Sequence, residues 1–189
     1  MTWKNYLELS EKTLSQEFFV TKRDELLLHA VMGIITELEE LSEWNGDDVN
    51  QKEEVADVLW YMAILDRELG LNLNIDCEGT DITGSFLNEA IIYDCYKQSS
   101  LLLDFLKKKL YYNKEINIDE FSSITHKLHD KIKFFSKMNE INLPDILNTN
   151  ITKLKARYGD KFSSEKAINR DLKTERNILE SGEDRKSVV

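Results

Sequence analysis

The apolar residues of the chain recur every three or four positions, which is the spacing of one face of an α-helix. This spacing predicts helices over about residues 2–17, 24–45, 50–69, 84–112, 118–140 and 144–159. Gly46, Gly70 and Gly159 stand where three of these helices end, as glycine commonly does. With only seven glycines and one proline for strand turns, the chain is predicted to be all-α.

The helical periodicity covers most of the chain but not its C-terminal part. Residues 1–160 are predicted to form one all-α domain, which is long enough to bury a core. The third helix is expected to begin at Asn50, with Glu53 in capping-box position, and residues 71–83 are expected to be a loop. Residues 161–189 are highly charged with little apolar periodicity, which predicts a loosely packed arm.

Residues 26–73 and 89–143 share one plan: a long helix, a short connection, a second long helix and a closing apolar segment. If they are a degenerate tandem repeat of helical hairpins, the chain builds a helical bundle with a four-helix core by itself. The alternative is two unrelated hairpins of similar length. In the repeat hypothesis, apolar or basic residues of the second hairpin replace four acids of the first, at Leu102 or Leu103, Phe105 or Leu106, Ile124 or Leu128, and Lys127 or Lys131.

Those four acids form two pairs in the first hairpin. Glu37 and Glu40 are three residues apart and share a helix face, and Glu54 and Asp57 repeat the spacing on the next helix. A short connection makes the two helices antiparallel neighbours, so the four carboxylates are expected to converge on the groove between them. Such charges repel unless they are protonated or neutralised, and all-oxygen ligation favours Mg²⁺ first and Mn²⁺ second.

The alternative to a metal site is a hydrated acidic surface, which is common on helices. Glu39, Glu43, Asp47, Asp48 and Glu53 are predicted to be solvated charges of this kind. The four paired acids differ from them because they border apolar residues and lie on adjacent helices.

Charge and composition exclude several classes of function. A formal net charge of −10 argues against nonspecific nucleic-acid binding, which needs a basic surface. No apolar run reaches the roughly 18 residues of a membrane span, and the N-terminus lacks a signal-peptide layout. Two distant cysteines without CxxC spacing suit a reducing cytoplasm.

The stretch GIITELEELSEW, followed by a loop and EEVADVLWYMAIL, resembles the core of the MazG-type all-α nucleoside triphosphate pyrophosphohydrolases. Their pattern is EExxE, a gap and ExxD, in which Glu37 and Glu40 match the first motif and Glu54 and Asp57 the second. Residues 150–171 are similar to the segment that closes many MazG-like chains. Thr36 departs from the pattern where the first Glu usually stands, which puts catalytic efficiency in doubt more than metal binding.

The resemblance implies a homodimeric enzyme that hydrolyses (deoxy)nucleoside triphosphates to the monophosphate and pyrophosphate. Mg²⁺, or Mn²⁺ as a substitute, would be held by Glu37, Glu40, Glu54 and Asp57, and Glu37 or Glu40 would activate the attacking water. Hydrolysis specific for dUTP or phosphoribosyl-ATP is an alternative within the superfamily. A non-catalytic helical binding or regulatory protein with vestigial acids is the alternative outside it.

An acidic site also needs cations to bind a triphosphate. The resemblance places Asn150 and Lys153 near the substrate, and Arg157 lies on the same basic helix. These residues are therefore predicted to contact phosphate, the alternative being that the cations only complement the helix dipole.

Aromatic residues near the acids are weaker candidates. Tyr61 could stack on a nucleobase, and His29, two turns before Glu37, could reach a base or phosphate. Packing or simple exposure is the alternative for His29. Trp60 is expected in the core.

Overall fold

The structure, a computed structural model, describes Ser10, Ser15 and residues 17–76, 88–159 and 161–184. Within these residues the regular structure is entirely helical, which confirms the all-α prediction. The helices of this part of the chain are α1 Lys22–Ser42, α2 Asp48–Leu69, α3 Asn88–Tyr112, α4 Ile118–Met138, α5 Leu143–Tyr158, α6 Ser164–Ile168 and α7 Leu172–Asp184.

The core is a bundle of four helices from two hairpins. Helix α1 packs against α2 and α3, and α4 packs against α2 and α3, so each helix has two neighbours in the bundle. Leu102, Leu106, Ile124 and Leu128, which the repeat hypothesis aligns with acids of the first hairpin, are buried in this core. One chain therefore completes the predicted four-helix core, while the common origin of the hairpins stays a hypothesis.

Helix α2 begins at Asp48, earlier than predicted, because Asp47 caps it. The Asp47 carboxylate accepts hydrogen bonds from the backbone N–H groups of Val49 and Asn50, at 3.0 and 3.3 Å. The predicted capping box of Asn50 and Glu53 is therefore wrong, and Glu53 lies inside the helix.

Helix α1 is shifted toward the N-terminus relative to the predicted range. Its start is fixed by a capping box, in which Asp24 N–H donates to the Thr21 hydroxyl at 3.2 Å and Thr21 N–H donates to Asp24 at 2.9 Å. The helix ends at Ser42, and Gly46 lies in the connection with a φ of 98°. Contrary to the prediction, Gly46 therefore does not end the helix but lies in the connection four residues after its last residue.

The C-terminal segment is packed, contrary to the predicted loose arm. Helix α5 packs against α2, and α7 packs against α5. Glu175 and Leu179 of α7 are buried, and Arg176 pairs with Asp47 at 2.7 Å. The prediction failed because much of this helix is held by ion pairs to other elements, which give no apolar periodicity.

Some predictions lie partly outside the described residues. The predicted helix 2–17 does so except at Ser10, Ser15 and Glu17, and so does the predicted start of the next hairpin at residue 84. Residues 71–76 are non-helical, in agreement with the predicted loop. In the described part of the chain, no helix is both long enough and apolar enough to span a membrane.

Candidate functional site

Three of the four predicted metal ligands meet between α1 and α2. Glu37, Glu54 and Asp57 each offer a carboxylate oxygen, and these oxygens lie within 4.8 Å of one another. Glu54 is only 4% exposed, whereas Glu37 and Asp57 are partly exposed. Glu40 lies outside this triad but lines the same cleft as an exposed side chain.

Burial and neighbouring negative charges favour the protonated forms of two acids of the triad, Glu37 and Glu54. Burial, followed by the charges of Asp57 and Glu40, raises the pKa of Glu37 to about 7. Burial, followed by the charges of Glu40 and Glu53, raises the pKa of Glu54 to about 9. A cation that binds here would therefore compete with protons for these carboxylates.

Two side chains of helix α5 form hydrogen bonds with Asp57. Asn150 donates a hydrogen bond to one Asp57 oxygen, and Lys153 Nζ donates to the other at 2.7 Å. Lys153 also contacts Glu53 at 2.8 Å. Burial alone would lower the pKa of Lys153, but the charges of Asp57 and Glu53 outweigh it and raise the pKa, so the lysine stays charged.

The structure thus brings Asn150 and Lys153 to the site, but in contact with its acids. Lys153 is 1% exposed, and both of its carboxylate partners belong to α2. As placed, the two side chains orient Asp57 and do not open onto the cleft. Glu53, predicted to be solvated, is an ion-pair partner, and that prediction is wrong.

The other acids predicted to be solvated divide into two groups. Glu43 and Asp48 are exposed, as predicted. Asp47 caps α2 and pairs with Arg176, so the prediction that it is a solvated charge is wrong. Glu39 is exposed, as predicted, but it also accepts a hydrogen bond from the Tyr96 hydroxyl at 2.6 Å. These bonds depend on distant segments and leave no trace in local spacing.

The triad forms part of the wall of a cleft of about 800 Å³, a size typical of sites for small ligands. Acidic side chains from α1 and α2 line this cleft, namely Glu37, Glu40, Glu53, Glu54 and Asp57. Basic side chains from α5 and the segment after it also line it, namely Lys155, Arg157, Lys161 and Arg170. The cleft therefore combines acidic side chains of α1 and α2 with basic side chains of α5 and the segment after it.

Aromatic side chains also line the cleft. The ring of Tyr61 meets His29 edge-on with centroids 5.4 Å apart, and it meets Trp60 edge-on at 5.0 Å. Trp60 is 36% exposed, so its predicted core position is wrong. Tyr61 is half-buried, and its ring packs directly on Gly33, where a Cβ atom would overlap it.

Arg157 lines the cleft and pairs with Glu175, which in turn pairs with Arg170; the sequence singled out neither Glu175 nor Arg170. Glu175 binds Arg157 at 2.6 Å and Arg170 at 2.7 Å. The charge of residues 161–189 was the only indication of these pairs, and charge content alone does not reveal which residues pair.

Thr36, the departure from the MazG-like motif, contacts its own helix. Its hydroxyl donates to the Gly33 carbonyl at 2.8 Å, and the side chain is exposed. Its hydroxyl is thus engaged within α1 rather than with the triad.

Comparison of the chain with protein-family models, curated proteins and solved structures gives no match. The resemblance to MazG-type enzymes consequently rests on the sequence motifs alone. The side chains of the site are therefore the basis for its proposed chemistry.

Proposed function

We propose that the chain is a Mg²⁺-dependent hydrolase that converts a (deoxy)nucleoside triphosphate to the monophosphate and pyrophosphate. The observation that carries this proposal is the triad of Glu37, Glu54 and Asp57, whose oxygens lie within 4.8 Å in a cleft that also carries basic side chains. A metal-bound polyphosphate matches both kinds of surface, because the acids bind the cation and the basic side chains bind the anion.

The donor set fits Mg²⁺. All three groups are carboxylates, and hard oxygen donors of this kind suit Mg²⁺, with Mn²⁺ as a substitute. Burial, together with the charges of neighbouring acids, raises the pKa values of Glu37 and Glu54, so a bound cation would favour their ionised forms. Lys153 supplies only part of the neutralising positive charge, since it contacts Asp57 and Glu53.

Each residue of the site has a distinct part in the proposed reaction. Glu37, Glu54 and Asp57 hold the cation, and Asn150 and Lys153 keep Asp57 oriented. Bound Mg²⁺ would neutralise the triphosphate and lower the pKa of a bound water. Among the acids of the cleft, Glu40 is exposed and outside the triad, so it is the proposed group that accepts the proton of the attacking water.

The remaining walls suit the other parts of a nucleotide. Arg157, Lys155 and Lys161 line the cleft and would contact phosphate oxygens. Trp60 and Tyr61 present aromatic surface at the cleft, where a nucleobase would stack. His29, beside Tyr61, is proposed to contact the base or sugar.

One observation favours a second candidate, a binding protein without catalysis. Lys153 already neutralises Asp57 and Glu53 from within the protein, as expected of acids retained for structure. In that case the cleft would still bind a nucleotide through its basic wall but would not turn it over.

The experiment is to measure pyrophosphate release from a panel of nucleotides, including dUTP and phosphoribosyl-ATP, with and without Mg²⁺. We expect Mg²⁺-dependent release that is lost in Glu54→Gln and Asp57→Asn and kept in Glu43→Gln, whose side chain is exposed. Turnover of dUTP or phosphoribosyl-ATP alone would select that narrower activity. Nucleotide binding without release by the native chain would favour the non-catalytic candidate.

A further inference from the structure

Glu175 of α7 is a buried carboxylate between two guanidinium groups. It is 4% exposed. Arg157 Nε donates to Oε1 at 2.7 Å and Arg157 Nη2 to Oε2 at 2.6 Å. Arg170 Nε and Nη2 both donate to Oε2, at 3.1 and 2.7 Å. One carboxylate therefore fixes both guanidinium planes.

Both arginines also line the cleft that contains the acid triad. The bonds to Glu175 use Nε and Nη2 of each guanidinium, so the N–H groups on each Nη1 are not used by Glu175. A guanidinium has five N–H donors in a fixed plane, and this plane can bind a second anion while one edge is occupied.

We infer that Glu175 is a positioning residue that holds Arg157 and Arg170 as a paired clamp for the terminal phosphates of a polyphosphate ligand. The identity of that ligand as a nucleotide rests on the proposed function. The clamp itself requires only a polyphosphate anion in the cleft.

Repulsion between the two arginines explains why a carboxylate lies between them. Two guanidinium groups repel each other, and a single shared carboxylate holds them together while leaving the cluster with a net charge of +1. Helix α7 packs against α5, which carries Arg157, and the Glu175 carboxylate is buried where these helices meet. The packed C-terminal segment thereby becomes part of the cleft.

The test is calorimetric titration of the full chain with inorganic tripolyphosphate in the presence of Mg²⁺. Glu175→Gln should raise the Kd about tenfold or more, because a charge-assisted hydrogen bond to phosphate depends on the orientation of its donor. A purely electrostatic role predicts the opposite, since removing a negative charge beside the cleft should tighten anion binding. Unchanged or tighter binding in Glu175→Gln would overturn the clamp.

The matched control is Glu180→Gln on the same helix. Glu180 pairs only with Arg176 among the described ion pairs, and neither residue lines the cleft. The Kd of Glu180→Gln for tripolyphosphate should therefore equal that of the native chain. An equal loss of affinity in both variants would also overturn the clamp.

Two further variants cover the case in which Glu175→Gln fails to fold. Arg157→Lys and Arg170→Lys keep the charge but lose the planar fork, and each should weaken tripolyphosphate binding. Native affinity in both lysine variants contradicts the clamp. Failure of the proposed function has a different result, namely tripolyphosphate binding that depends on Glu175 in a chain that releases no pyrophosphate.

Discussion

At the scale of single residues, the ion pairs of the buried Lys153 connect α5 to two acids of α2. The lysine is buried, and its amine lies 2.7 Å from Asp57 and 2.8 Å from Glu53. A buried charge whose partner is removed is strongly destabilising, because desolvation is then no longer compensated. Lys153 thus couples the stability of α5 to the geometry of the triad.

Replacing this lysine should therefore destabilise the metal-free protein. Lys153→Met keeps most of the apolar stem but leaves the carboxylates of Asp57 and Glu53 without their cation, and it should lower the free energy of unfolding by about 3 kcal/mol. Urea unfolding monitored by circular dichroism measures the change. Lys155→Met, two residues away and exposed, is the control and should stay within about 0.5 kcal/mol. Equal effects of the two variants would mean that the buried ion pairs of Lys153 stabilise the protein no more than an exposed lysine does.

The two raised carboxyl pKa values give a pH dependence with a definite sign. Glu37 and Glu54 have pKa values of about 7 and about 9, above the ordinary 4.5, so the native state favours their neutral forms. Their contribution to the stability of the metal-free protein is full below pH 4.5 and is lost as pH rises through 7 and then 9.

A bound cation should reverse this loss. Because Mg²⁺ must displace protons at low pH, the rise in Tm that it causes should grow between pH 6 and pH 9. Thermal unfolding with and without Mg²⁺ at several pH values measures it. In the double variant Glu37→Gln, Glu54→Gln, the rise in Tm caused by Mg²⁺ should change little with pH. A native-like pH profile in that variant would assign the effect to other groups.

At the scale of helices, the contact of Gly33 with Tyr61 fixes how closely α1 and α2 approach beside the triad. Gly33 is buried in α1, four residues before Glu37, and the Tyr61 ring of α2 occupies the space of a Cβ atom. Glycine in a helix interior is unfavourable by roughly 0.5–1 kcal/mol relative to alanine. The close contact explains why the smallest residue is nevertheless suited to this position.

Gly33→Ala should consequently destabilise the protein despite its better helix propensity. Overpacking of a tight contact costs about 1–3 kcal/mol, which exceeds the gain in propensity. Denaturant unfolding of Gly33→Ala, Tyr61→Ala and the double variant measures the coupling. We expect the double variant to be less destabilised than the sum of the single ones. Strict additivity would show that the alanine methyl does not meet the ring.

Helix α7 provides a second test at this scale. Leu179 is 8% exposed and contributes to the contact of α7 with α2 and α5, so Leu179→Ala should cost about 2 kcal/mol. Ile168, 81% exposed in α6, is the control, and Ile168→Ala should be close to neutral. If Leu179→Ala were equally neutral, the C-terminal segment would be the loose arm that its composition predicts.

At the scale of the whole molecule, the two hairpins depend on each other for burial. Helix α1 covers α3, and α2 covers α4, with apolar side chains of all four helices in one core. A fragment of residues 1–83 would expose the apolar faces of α1 and α2 to water. An exposed two-helix hairpin has too little buried area to fold stably.

We therefore expect the 1–83 fragment to be poorly folded, with a broad thermal transition by circular dichroism. The full chain, measured alongside, should melt cooperatively. A sharp cooperative melt of the fragment would contradict the view that the second hairpin completes the core. The homodimer implied by the MazG resemblance stays a prediction.

The sequence by itself determined the helices α1 to α5, the antiparallel hairpin and the convergence of Glu37, Glu54 and Asp57, although Glu40, predicted to join them, lies outside the triad. These features follow from local periodicity, from short connections and from the three-residue spacing of side chains on one helix face. Each of them involves residues close in the chain, so their geometry is set by helix parameters alone.

Only the tertiary structure decided which distant charges pair. Lys153 binds residues about a hundred positions away in the chain, and Glu175 gathers Arg157 and Arg170 from outside its own helix. Such contacts depend on how α5 and α7 pack, and long polar side chains can reach several partners at similar separations in sequence. The exposure of Trp60 has the same origin, because the packing of neighbouring helices leaves that face of α2 open to the cleft.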